Sequence, residues 1–158
     1  MKNLNSVCKN IMLVFALMLL LTPPVWSGDD YVRNAKEIVK AADWKTMKTV
    51  TIEIDEHSYD PEKVVFKVGQ PYKLELKNVG EKKHYFTAPE FYRSIATRKV
   101  QANRDGEIKA PYFLALEMMA NGGQLDIYFV PVKKGSYVVY CTIDDHRQEG
   151  MEGMLVIN

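Results

Sequence analysis

Three side chains near the C-terminus carry metal-binding chemistry. Cys141, His146 and Met151 follow one another with four residues between each pair, and an apolar, alternating segment comes after them. A thiolate, an imidazole and a thioether together favour copper over hard cations. In electron-transferring copper sites, two histidines and one cysteine form a trigonal plane and a methionine is a weak axial ligand. The spacing therefore predicts a copper site that needs one more histidine.

The second histidine must be one of two residues far upstream, because the sequence contains three histidines in all. His84 begins the segment HYFTA, which is typical of a short strand. His57 stands in the polar segment EHSYDP, which we interpret as a solvated turn. At this point either residue could complete the site.

Residues 1–27 have the pattern of a secretory signal peptide. Lys2 and Lys9 precede an unbroken apolar run from Ile11 to Leu21, and Val25 and Ser27 stand three and one positions before the expected cleavage point. The run is shorter than the roughly 20 residues that span a membrane. We therefore expect export to the periplasm with cleavage and no membrane span, and an uncleaved membrane anchor is the alternative.

The composition is that of an ordinary globular protein, and the net charge gives no indication of nucleic-acid binding. The chain has 158 residues, 47% apolar and 26% charged, with a formal net charge of +1. Cleavage would remove two lysines and Cys8, which leaves Cys141 as the single cysteine of the exported protein. No disulfide could then form within the chain, and metal ligation is a good reason to keep an exported thiol.

The pattern of the exported part predicts an all-β domain. Residues 28–46 read as a short N-terminal helical segment, and residues 47–158 as one domain of about seven alternating strands with turn signals between them. This organisation favours a Greek-key β-sandwich. Residues 88–124 show no clear period, and we interpret them as an irregular insertion or long crossover between strands.

The C-terminal segment GSYVVYC…H…GMEGMLVIN, with a histidine some sixty residues upstream, resembles the cupredoxin family of type 1 (blue) copper proteins. The resemblance covers about residues 48–158, and the ligand-loop spacing is similar to that of the rusticyanins. In the family the first histidine ligand follows an Asn-bearing stretch, which corresponds here to Asn78 and then His84. The resemblance thus implies a metal site of one copper ion, cycling between Cu(I) and Cu(II), bound by His84, Cys141, His146 and Met151.

The family also implies a function. We expect a periplasmic electron carrier that shuttles one electron between redox protein partners, with His146 as the exposed exit ligand. The alternative is a copper-binding protein for resistance, storage or delivery, which would exchange copper with donor and acceptor proteins. Enzymes with similar domains need further histidine clusters that three histidines cannot supply, so we expect no enzyme. We also expect a monomer that binds no nucleic acid.

The ligand loop departs from the family pattern in its charge. The residue before the loop histidine is often glycine in cupredoxins, whereas Asp145 stands here, preceded by Asp144. Carboxylates near copper would stabilise Cu(II) and lower the reduction potential. We further expect Met154 to be a core residue and Met118 and Met119 to serve packing. If Met118 and Met119 are exposed near the site, the alternative role is copper capture.

Overall fold

The computed structural model describes residues 31–103 and 105–158. The predicted signal peptide, its cleavage point and Cys8 lie outside the described residues. Within them no helix is both long and apolar enough to pass through a membrane.

The described chain is mostly β, as the sequence predicts. Two helices, α1 and α2, and one 3₁₀ turn accompany eleven strands. The helical elements are α1 Ala35–Ala41, the 3₁₀ turn Trp44–Thr46 and α2 Pro89–Tyr92. The strands are β1 Lys48–Asp55, β2 Ser58–Asp60, β3 Lys63–Phe66, β4 Tyr72–Asn78, β5 His84–Thr87, β6 Ile95–Ala102, β7 Gly106–Ile108, β8 Ala115–Met118, β9 Gln124–Pro131, β10 Gly135–Tyr140 and β11 Glu152–Ile157.

The strands form two mixed sheets that enclose one main core. The six-stranded sheet has the order β2-β1-β4-β9-β6-β7, and the five-stranded sheet has the order β3-β11-β10-β5-β8. Alternating side chains of both sheets point inward. Phe66 of one sheet packs on Tyr72 and Phe129 of the other, with ring centroids 5.0 and 5.3 Å apart. The predicted β-sandwich is therefore confirmed.

The predicted N-terminal helix is present but short. It begins after Asn34, which is the N-cap residue. Its apolar side packs on the outer face of the six-stranded sheet, against Ala96 and Val130. The helix thus covers β6 and β9 and does not belong to the main core.

The interpretation of residues 88–124 as an irregular insertion is wrong. The segment contains α2, β6, β7 and β8, and β6 pairs with β9 over most of its length. A β-bulge between Thr97 and Lys99 interrupts the alternation that would mark a strand. Arg98 also lies over the Trp44 ring at 4.6 Å, so a charged residue packs in the sheet where the sequence indicates a loop.

Strand pairing brings distant segments to one end of the sandwich. β1 and β4 are parallel neighbours with Ile54 opposite Asn78, so both strands end at the same edge. In the other sheet, Tyr140 at the end of β10 pairs with Thr87 of β5. The segments that follow β1, β4 and β10 therefore meet around the start of β5.

Candidate metal centre

Three of the predicted site residues come together at this end of the sandwich. His84 begins β5, Cys141 follows β10, and His146 lies in the loop that joins β10 to β11. Their donor atoms all lie within 4.8 Å of one another, and all three side chains are buried. The cluster contains a thiol and two imidazoles, which is a soft donor set.

The cysteine sulfur is held from two sides. The backbone N–H of Tyr85 donates to Cys141 Sγ at 3.4 Å, and His146 Nδ1 lies 3.6 Å from the same sulfur. The backbone N–H of Cys141 donates to the carbonyl of Met151 at 3.1 Å. An N–H donor aimed at sulfur stabilises the thiolate, which is the form that binds metals.

The ligand loop is closed by its own backbone. His146 N–H donates to Ile143 O at 3.1 Å, and Met151 N–H donates to His146 O at 2.9 Å. Asp144 adopts a left-handed conformation with φ of +43°, which aspartate tolerates better than most residues. Met151 is fully buried and bonded through its backbone to both Cys141 and His146. The sequence spacing thus becomes one tight, hydrogen-bonded turn.

His84 is buried with unsatisfied nitrogens. Neither ring nitrogen has a hydrogen-bond partner, although Nε2 lies 3.4 Å from a carboxylate oxygen of Glu56. The two groups face each other at this distance without a formed hydrogen bond in the apoprotein. Burial lowers the pKa of His84, and the nearby Glu56 offsets this only in part, so the ring is neutral at pH 7. A buried neutral imidazole with a free nitrogen is ready to bind a metal.

Asn78 fixes the turn that leads to His84. Its side-chain amide donates to the carbonyl oxygens of Lys82 at 2.7 Å and Met119 at 3.0 Å, and its oxygen accepts from Gly80 N–H at 3.0 Å. The residue is fully buried at the end of β4. It therefore ties the β4–β5 turn to the end of β8.

Glu56 is a site neighbour that the sequence does not reveal. Its Oε1 accepts from the backbone N–H groups of Glu81 at 2.8 Å and Lys82 at 3.0 Å. Burial acts to raise the pKa of Glu56, but these backbone donors and His84 outweigh it and lower the pKa. The parallel pairing of β1 and β4 is the signal that could have found it, because that pairing places residues after Asp55 beside the β4–β5 turn.

His57 lies in the turn between β1 and β2, as predicted, and its side chain is 35% exposed, but it also contacts the site. Its ring lies edge-on to His146 with centroids 4.9 Å apart, and its Nε2 lies 2.8 Å from a carboxylate oxygen of Glu149. The segment after it forms β2, which pairs with β1. His57 covers His146, whose exposed fraction is 4%, so the expected exposed exit ligand is buried.

The remaining residues considered from the sequence are spread around the site. Asp144 and Asp145 are exposed on the loop surface. Met118 is buried opposite His84, whereas the neighbouring Met119 is 63% exposed. Met154 is half-buried and does not belong to the main core, contrary to expectation.

The sequence model of the cupredoxin-like domain family matches residues 11–157. The chain belongs to the cupredoxin family. The resemblance seen in the C-terminal segment is therefore confirmed. A search of curated protein sequences finds no significant match to this cupredoxin.

Solved structures of other proteins are similar to this cupredoxin at low sequence identity. Reduced auracyanin from the photosynthetic bacterium Roseiflexus castenholzii is 23% identical over 74% of this cupredoxin and 98% of its own chain, with a TM-score of 0.48. Auracyanin B is 17% identical over 70% and 88% of the two chains, with a TM-score of 0.50. The McoA multicopper oxidase of Aquifex aeolicus is 13% identical over 73% of this cupredoxin and 30% of the oxidase, with a TM-score of 0.53.

The residues of the cluster fit copper. A buried imidazole nitrogen without a partner costs free energy in the apoprotein, and a metal ion would satisfy it. Thiolate and imidazole donors suit copper in both of its oxidation states. Family membership and the His–Cys–His cluster together point to copper as the metal of this cupredoxin.

Proposed function

We propose that this cupredoxin is an exported electron carrier with one type 1 copper ion. His84, Cys141 and His146 would form the trigonal set, and Met151 would be the weak axial ligand. Bound copper would supply a one-electron couple between Cu(I) and Cu(II). The observation that carries the proposal is the buried cluster of one thiol and two imidazoles within 4.8 Å.

The protein's own contribution is to hold these donors still. Three features hold them: the Tyr85 N–H bond to the sulfur, the closed turn from Cys141 to Met151, and the Asn78 side-chain network. Together they involve residues of both sheets. Donors held in this way change little between oxidation states, which favours fast electron transfer.

The covering of His146 suggests where the electron leaves. His57 contacts the His146 ring and is itself 35% exposed in its side chain, whereas His146 is nearly fully buried. We infer that partners approach through His57 and the surface around it. A redox protein partner in the periplasm would suit this exit.

A multicopper enzyme would need further histidines. All three histidines of the sequence lie within this one site, because His57 and His84 both contact the His146 ring. A cleft of about 670 Å³ between α1 and β6 shares no lining residue with the site. The histidine content supports a carrier with a single copper ion.

One observation favours copper handling as a second candidate function. Met119 is 63% exposed and follows Met118, which pairs with His84 across β5 and β8. A surface thioether beside the site could receive Cu(I) before it enters. On this alternative the same buried donors would store or deliver copper.

The test is a visible spectrum of the protein loaded with Cu(II). We expect an intense band from thiolate-to-copper charge transfer, which Cys141→Ser abolishes and Met154→Leu leaves intact. Retention of copper through repeated voltammetric cycles would support the carrier, and rapid loss to a chelator would support copper handling. A colourless protein that binds zinc equally well would refute the type 1 site.

N-terminal sequencing of the exported protein should find Gly28 first.

A further inference from the structure

The Glu56 carboxylate is held in place by the turn that leads to His84. One oxygen, Oε1, accepts from the backbone N–H groups of Glu81 and Lys82 at 2.8 and 3.0 Å. A Cβ atom at Gly80 would lie only 2.6 Å from the same oxygen, so the turn is shaped closely around this carboxylate. Glu56 is thus built into the β4–β5 turn although it comes from the end of β1.

The other carboxylate oxygen faces the metal-binding histidine. Oε2 of Glu56 is buried without a hydrogen bond, and His84 Nε2 lies 3.4 Å from it, equally unpartnered. A carboxylate can only accept, so the contact is favourable when the imidazole carries its proton on Nε2. In a neutral ring the lone pair then lies on Nδ1, which is also buried without a partner.

We propose that Glu56 is a positioning residue that selects the Nε2–H tautomer of His84 and leaves Nδ1 free to bind the metal. This inference rests on the proposed copper site. Glu56 is not one of the donors within 4.8 Å of one another, which are His84, Cys141 and His146. It therefore acts through His84 and does not itself bind the ion.

The expected consequences are those of a carboxylate–histidine–metal arrangement. A carboxylate that accepts from the far nitrogen orients the ring and makes the near nitrogen a stronger donor. Loss of such a partner typically weakens metal binding by about 10- to 100-fold. The negative charge of Glu56 also favours Cu(II) over Cu(I), so the loss of this charge raises the reduction potential.

The experiment compares Glu56→Gln with Glu81→Gln. In Glu56→Gln the side-chain oxygen can still accept from the N–H groups of the turn. Its NH₂ group then faces His84 and, as a donor, favours the opposite tautomer. Glu81 is exposed on the same turn, and its replacement removes the same charge without touching the ring. The ¹⁵N shifts of His84 in each apoprotein report the tautomer, and competition with a Cu(I) chelator reports the affinity.

We expect Nε2–H in the wild type and in Glu81→Gln, and a shift toward Nδ1–H with a 10- to 100-fold loss of Cu(I) affinity in Glu56→Gln. An Nδ1–H tautomer in the wild-type apoprotein would overturn the inference without any variant. Equal affinities and equal tautomers in the two variants would overturn it as well. Failure of the wild type to bind copper through Cys141 would instead refute the proposed function.

Discussion

Replacing Asn78 with alanine should destabilise the apoprotein by about 3 kcal/mol. The amide reaches the carbonyl oxygens of Lys82, Met119 and Met118 at 2.7, 3.0 and 3.3 Å, and its oxygen accepts from Gly80 N–H at 3.0 Å. Two amide protons serve the three carbonyls, so the side chain makes three net hydrogen bonds. At about 1 kcal/mol for each buried bond, the loss is ~3 kcal/mol, a large part of a typical 5–15 kcal/mol total.

Urea unfolding of the apoprotein at pH 7 measures this loss. The matched control is Gln70→Ala, because the Gln70 amide donates to Thr46 O at 2.8 Å near the surface, where water can replace it. We expect an unchanged denaturant slope for both variants and a fall in melting temperature of ~10 °C for Asn78→Ala alone. The reasoning would be refuted if the two variants lost the same small amount of stability.

Three further outcomes follow from other contacts. Lys73 donates to Glu75 and holds its pKa at about 2 instead of 4.5, so the carboxylate stabilises the fold above pH 4.5 and loses this contribution as the pH falls to about 2. Glu75→Gln should therefore flatten the acid side of the stability profile in urea titrations, and an unchanged profile would contradict the pairing. Gly153→Ala places a Cβ 2.6 Å from a backbone oxygen of the adjacent segment and should cost about 1–3 kcal/mol in thermal melts, whereas Gly106→Ala, with open space, should cost little. Met151→Leu removes a weak donor and should raise the potential in voltammetry of the copper-loaded protein; a lowered potential would argue against axial ligation.

Most strands could be predicted because their burial alternates locally. β4 alternates buried with half-buried residues along its whole length, and β1 alternates buried with exposed residues over its last four positions, and that period is visible in the sequence. β6 could not be predicted in the same way. Its bulge breaks the period, and Arg98 and Lys99 are placed against the aromatic rings of Trp44 and Tyr128, which only the folded sheet brings near.

The residues of the site fall into two groups: some are close together because they are close in sequence, and others are brought together by strand pairing. Cys141, His146 and Met151 lie in one hydrogen-bonded turn, so their proximity follows from local spacing. Glu56 and His57 reach the site through the parallel pairing of β1 with β4 and through contacts with the β4–β5 turn and the ligand loop. No local pattern reports such a pairing, and a polar segment looks the same whether it faces water or a metal site.

The sequence by itself determined the soft donor set, the family and the sandwich class, because residue type and short-range period carry that information. Only the tertiary structure decided which groups surround the donors. It placed His84 beside Cys141 and His146, laid His57 over His146, and brought Glu56 to the far nitrogen of His84. The physical reason is that strand pairing between distant segments depends on packing of the whole core, which no single segment encodes.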